Sequence, residues 1–146
     1  GWLGCTNGTL FSLIEALRYF PFSLQVALPP LEDRPTLETY ARHCGVKVDF
    51  VDTPQQAVEG CNFVYAGCRS GLDDELAQQW KVDDALLSHA DQKARVLLGT
   101  SPMQAIEVAS DILASPASLL LLQSENRLRV HKRLLHWVFL ENERVI

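Results

Sequence analysis

Short runs rich in valine, leucine and aromatic residues alternate along this chain with segments whose apolar residues recur at helical spacing. Residues 2–5, 23–28, 46–51, 62–66 and 95–98 read as strands. Between them, residues 9–20 carry Leu10, Leu13, Ile14 and Leu17 on one helical face. Pro35 stands where a first-turn proline belongs and predicts a helix over 36–44 that ends near Gly45. Thr53 and Pro54 open another over 55–59, which stops at Gly60. Residues 83–90, 105–113 and 125–140 supply the remaining helices.

That order leaves few architectures. Strand, helix, strand with short connections builds βαβ units, and βαβ units build a parallel sheet. The strands are nearly continuous apolar runs, as expected where helices cover both faces. The predicted fold is therefore α/β: a Rossmann-like, three-layer α/β/α arrangement around a doubly wound parallel sheet of about five strands. A chain of 146 residues, 47% hydrophobic, can bury one core without disulfide or metal staples, so residues 1–146 read as a single domain whose first strand is cut short. PPLEDRP at 29–35 is a stiff loop after the second strand, not a linker.

In such a sheet ligands bind beyond the carboxyl ends of the strands, which directs attention to residues 6–8, 29–35, 52–53, 67–71 and 99–102. A net charge of −5 argues against nucleic acid, because phosphate binding needs clustered Lys and Arg. The one basic cluster, from Arg127 to Arg133 with His131, spreads around a helix and reads as a solvated or ligand-facing surface. No segment approaches membrane-spanning length and no signal-peptide pattern is visible. Cys5, Cys44, Cys61 and Cys68 form no C-x-x-C pair, so no metal is expected. The first three sit in apolar or helical contexts as buried reduced thiols, which suits a cytoplasmic protein.

Three strand-end segments could carry chemistry. GCTNG, from Gly4 to Gly8, turns from strand to helix but lacks G-x-G-x-x-G, and no acidic residue stands at the tip of the second strand to hold a ribose. A nucleotide module is thus a weak reading, no cofactor is expected, and Thr6 or Asn7 can simply cap the helix. GCRSG, from Gly67 to Gly71, sets Cys68 beside Arg69, yet all four histidines fall on predicted helices, so a Cys–His nucleophile is not formed. GTSP, from Gly99 to Pro102, offers hydroxyls that serve a ligand or a plain turn equally well.

Taken together, these segments resemble the second domain of the aspartate/ornithine carbamoyltransferases. That family opens the domain with G-D-G-N-N-x-x-x-S-L, and GCTNGTLFSL keeps Gly4, Asn7, Ser12 and Leu13. TLETYARHCGVKVDFVDTPQQAVEGCNFVYAG is similar to the family's helix–glycine–strand segment and the helix–strand stretch after it. SPASLLLLQSENRLRVHKRLL resembles the ornithine enzymes' segment around E-N-R, whereas PMQAIEVASDI just upstream is closer to the aspartate enzymes.

The resemblance implies carbamoyl transfer from carbamoyl phosphate to an amino group. Asn7 and Ser70 would face the amine or amino-acid substrate and Arg127 the carbamoyl phosphate, with no catalytic residue assigned. Departures are part of the pattern. Gly67 replaces an aspartate, Gly99 a histidine, Thr100 a cysteine and Gly8 an asparagine, which points away from plain ornithine or aspartate as substrate. The carbamoyl-phosphate domain with its S-T-R-T loop is not in this sequence, so the chain alone is expected to be inactive and to need that N-terminal partner. The alternative is a catalytically degenerate domain used for assembly or regulation.

The last helix supports a missing surface independently. Leu128, Leu135 and Phe139 form one apolar stripe; Val130, Leu134, Trp137 and Val138 form another. A helix on one sheet needs a single stripe, so a second implies another domain or a homo-oligomer partner.

Overall fold

The computed structural model describes residues 1–30, 32–67, 73–99 and 108–141. Its strands, β1 (Trp2–Leu3), β2 (Gln25–Ala27), β3 (Asp49–Val51), β4 (Phe63–Ala66) and β5 (Arg95–Leu98), pair in parallel in the order β3-β2-β1-β4-β5. The expected doubly wound sheet is therefore present. Val96 also bridges Ser118 in parallel, so the edge of β5 continues into the approach to the last helix.

The helices form where local chemistry satisfies their first N–H groups. Asn7 caps α1 (Gly8–Ala16) by accepting from the N–H groups of Thr9 and Leu10. Asp33 caps α2 (Arg34–Cys44), which ends at Gly45 with φ of 70°, a left-handed conformation natural to glycine. Thr53 and Gln56 form a reciprocal capping box on α3 (Pro54–Val58). Asp73 and Asp83 cap α4 (Asp74–Gln79) and α5 (Asp84–Leu87), and α6 (Ser110–Ala114) and α7 (Leu120–His136) come after them. A π-helical turn, Trp137–Glu141, ends the described chain.

Two apolar layers sandwich the sheet. On one face Leu10, Ile14, Leu37 and Ala41 from α1 and α2 pack on Trp2 and Val26. On the other, α3, α5 and α6 pack on Leu3, Val64, Val96 and Leu98. A fully buried Leu or Ile contributes roughly 1.5–3 kcal/mol, so these layers carry the stability. Coverage is not symmetrical. Val64 is 0% exposed on the α3 side, whereas its neighbour Phe63 is 54% exposed on the other. An apolar groove of about 690 Å³, lined by Leu13, Phe22, Phe63, Tyr65 and Leu97, stays open there. The continuous apolar pattern of β4 and β5 thus anticipates a cover that the described residues do not provide.

Several boundaries differ from the sequence reading. Strands β1 to β4 are shorter, because only part of each apolar run finds ladder partners, whereas β5 spans residues 95–98 as expected. Helix α1 stops at Ala16, four residues early, and α4 is an element the apolar spacing does not announce. Of the expected 105–113 helix, residues 105–107 lie outside the described set and α6 begins at Ser110. Helix α7 begins at Leu120 rather than at residue 125. In its first turn Leu120 packs partly on the core, whereas Leu121 is 80% exposed.

Candidate functional site

In the order β3-β2-β1-β4-β5 the chain runs outward from β1 to β3 and then crosses back to β4, so the crevice between β1 and β4 is the topological switch point. Its floor is built by the residues that end these strands. Gly4, directly after β1, has φ of 123°, which a side chain would resist, and turns the chain toward α1. The Trp2 indole N–H donates to the Gly4 carbonyl at 3.2 Å, tying the strand to its own turn.

Asn7 stands at this turn as expected. Its Oδ1 accepts from Thr9 N–H at 2.9 Å and from Leu10 N–H at 3.2 Å, so the carbonyl half of the amide is committed to the helix. Arg127 lies in the second turn of α7 rather than at its start. Glu125 pairs with Arg129 at 3.3 Å, leaving Arg127 outside that ion pair. Ser70 lies outside the described residues, as do Cys68, Arg69, Gly71, Thr100, Ser101 and Pro102.

Tyr65 lies beside this turn, and sequence reasoning did not single it out. It pairs with Trp2 across β4 and β1, and the two rings stack at 4.5 Å with planes 10° apart. Burial pushes its phenol above the ordinary tyrosine range, while a hydrogen bond with Thr9 and the positive charge of Arg127 pull it partly back. The signal was the alternation of Phe63, Val64, Tyr65 and Ala66, which puts Tyr65 on the face of Trp2.

Two glycines after β4 and β5 are crowded by these rings and the backbone beside them. A Cβ on Gly67 would lie 2.9 Å from the Leu3 carbonyl oxygen and 2.9 Å from the Trp2 ring. One on Gly99 would come within 3.2 Å of the Tyr65 ring and 3.5 Å of Gly67 Cα. At both positions the aromatic pair and the neighbouring backbone leave little room for a side chain. Gly8 is different: a Cβ there meets nothing within 4 Å.

A carboxylate also reaches the first turn, from the loop that follows β2: Glu32 accepts from Thr6 N–H at 2.7 Å.

The family model for aspartate/ornithine carbamoyltransferase, Asp/Orn binding domain, matches residues 1–138. An ornithine carbamoyltransferase from Nitratidesulfovibrio vulgaris is 32% identical over 96% of this chain and 50% of its own length. One from Oleidesulfovibrio alaskensis is 33% identical over 94% of this chain and 49% of its own. Among solved structures, a mitochondrial ornithine carbamoyltransferase from Coccidioides immitis superimposes with a TM-score of 0.83 at 21% identity, over 99% of this chain and 49% of that one, a likeness of fold. That from Burkholderia thailandensis gives 0.73 at 27% identity, over 95% and 46%. The chain spans about half the length of the curated relatives it matches.

Proposed function

The chain belongs to the aspartate/ornithine carbamoyltransferase family by its Asp/Orn binding domain, and on that premise we propose that the protein carrying it transfers a carbamoyl group from carbamoyl phosphate to an amino group. In this reaction the amine lone pair attacks the carbamoyl carbon, a C–N bond forms, the C–O bond to phosphate breaks, and the departing phosphate takes up the proton the amine loses. Negative charge grows on the carbamoyl oxygen and the departing phosphate, so a fixed guanidinium lowers the barrier. Arg127 supplies that cation, and Asn7 and Ser70 face the amine. What carries the reading is Arg127, one turn beyond Gln123, which is itself bonded to the end of β5.

One guanidinium cannot bind the anion alone, so the reading includes an N-terminal half that supplies the phosphate loop, and the isolated chain is inactive. The exposed faces of α7 support it: Leu128 is 56% and Leu135 57% exposed. The reading also includes a homo-oligomer and a cytoplasmic setting, which suits the buried thiol of Cys5. Among the described residues no helix is long and apolar enough to cross a membrane.

A carbamoyl phosphate assay on the full-length protein with a panel of amines tests the proposal. Turnover that disappears in Arg127→Ala supports it, and absence of both turnover and calorimetric binding sinks it. A second reading, a degenerate domain used in assembly, is favoured by the crowding at Gly67 and Gly99. Light scattering of wild type and Trp137→Glu decides that one, since unchanged mass and solubility count against a partner surface.

A further inference from the structure

Helices α1 and α2 pack on one face of the sheet at Trp2 and Val26, but over β4 the same face stays open among the described residues. There the apolar groove of about 690 Å³ leaves Phe63 54% and Phe22 41% exposed, with Tyr65 and Leu97 beside them. Apolar surface of this kind implies a cover. The position of Gly1 identifies it. Gly1 itself lines the groove. Its N–H donates to the Phe63 carbonyl at 2.7 Å and its carbonyl accepts from Tyr65 N–H at 2.7 Å, so the ladder between β1 and β4 already runs through Gly1. A Cβ there would lie 2.1 Å from the Ala57 carbonyl oxygen, which closes the α3 side. By strand alternation the residue before Gly1 shares the face of Trp2, and that is the face of the groove.

We propose that the groove seats the segment immediately before Gly1 in the full-length protein, an amphipathic helix laid with its apolar side on Phe63, Tyr65 and Leu97. The chain spans about half the length of its curated relatives, so the longer protein has a segment to place there. A helix is the form that fits. A further strand pairs at the sheet's edges, β3 or β5, whereas a helix lies on its face and completes the layer that α1 and α2 begin. Tethered at Gly1, the segment meets the groove at an effective concentration on the order of millimolar, an advantage that neither a second copy nor a free partner has. The inference rests on the proposed N-terminal half and says how that half is held. Its last element is anchored on β1 and β4, the strands that bound the crevice, so the phosphate loop keeps a fixed relation to this domain.

Two measurements on the full-length protein test it, and neither needs a substrate. Replacing Phe63 by photoreactive benzoylphenylalanine keeps an aromatic side chain at a half-exposed position, so the fold survives. After irradiation, mass spectrometry reads which peptide touches the groove. The expected product has the mass of one chain and is linked to a peptide N-terminal to Gly1. A link to a second chain, a link to a peptide within residues 1–146, or no protein link overturns the inference. Thermal unfolding of Phe63→Glu is the second measurement. Its midpoint falls by about 2–4 °C or more where a helix covers Phe63, because a charge then replaces a buried ring. An unchanged midpoint overturns the inference as well. A protein that gives the expected link and the lowered midpoint but no carbamoyl transfer overturns the functional reading and leaves the seat supported.

Discussion

The side-chain amide of Gln123 is bonded to both backbone groups of Leu98, accepting from its N–H at 3.0 Å and donating to its carbonyl at 3.2 Å. The side chain thereby takes the place of a neighbouring strand where β5 ends. Gln123→Leu keeps most of the volume but leaves both half-buried groups unpaired. A loss of roughly 1–3 kcal/mol is expected in chemical denaturation. Hydrogen exchange at the Leu98 amide should quicken in the same variant, and unchanged protection there would count against the clasp.

Asn7 has two possible uses that one pair of substitutions separates. Its carbonyl caps α1, and its NH₂ remains for a substrate. Asn7→Ala should lose about 1 kcal/mol of stability, because no side-chain acceptor remains for Thr9 and Leu10. Asn7→Ser keeps a good cap and removes the amide. If Asn7 faces the amine substrate, Asn7→Ser retains the wild-type melting temperature and raises the KM for the amine; an unchanged KM assigns Asn7 to capping alone.

The glycines that depart from the family pattern are not equally reversible. Gly8→Asn restores the second asparagine into open space, and its effect on stability should stay within about 0.5 kcal/mol. Gly67→Ala already drives a methyl against the Leu3 carbonyl and the Trp2 ring, both held by the sheet. It should cost roughly 1–3 kcal/mol, and Gly67→Asp more, because it adds a poorly solvated charge. Denaturation midpoints measure the contrast. A stable Gly67→Asp protein would show that Trp2 can yield and that the acidic site is recoverable.

These examples mark where sequence patterns are informative. Period and caps are local, so Thr53–Pro54, Pro35 and Gly45 locate helix ends closely, and the βαβ order dictates the sheet. Asp73 with Asp74 and Glu75 after it is a legible start for α4, one that a search by apolar spacing does not register. The leucines from 119 to 122 are less legible because apolarity normally means burial, whereas here Leu120 packs partly on the core and Leu121 and Leu122 are exposed. The stack of Tyr65 on Trp2, closed by Gly99, is not legible, because these residues lie far apart in the chain and meet only when the sheet is assembled.

Helices α1 and α2 are joined by a polar contact whose pH dependence can be worked out. The Tyr40 hydroxyl donates to the Glu15 carboxylate, and the Tyr40 ring meets Phe11 edge-on at 4.8 Å. The hydrogen bond with Glu15, with lesser help from desolvation and the charge of Glu15, pushes the phenol up to about 12 from its ordinary value of 10.0. Ionising Tyr40 in the folded state would break that bond and set two negative charges side by side. In the unfolded chain it ionises without penalty, so the unfolded state releases its proton first. The contribution of Tyr40 is therefore fully present below pH 10.0 and is lost as pH climbs from there through about 12. Tyr40→Phe retains the packing on Phe11 but has no proton to lose. Its stability should be lower than wild type near neutrality, and the gap should close across that alkaline window while Tyr65, common to both proteins, cancels. Parallel stability curves from pH 9 to 12 would show that Tyr40 and Glu15 are not bonded in solution.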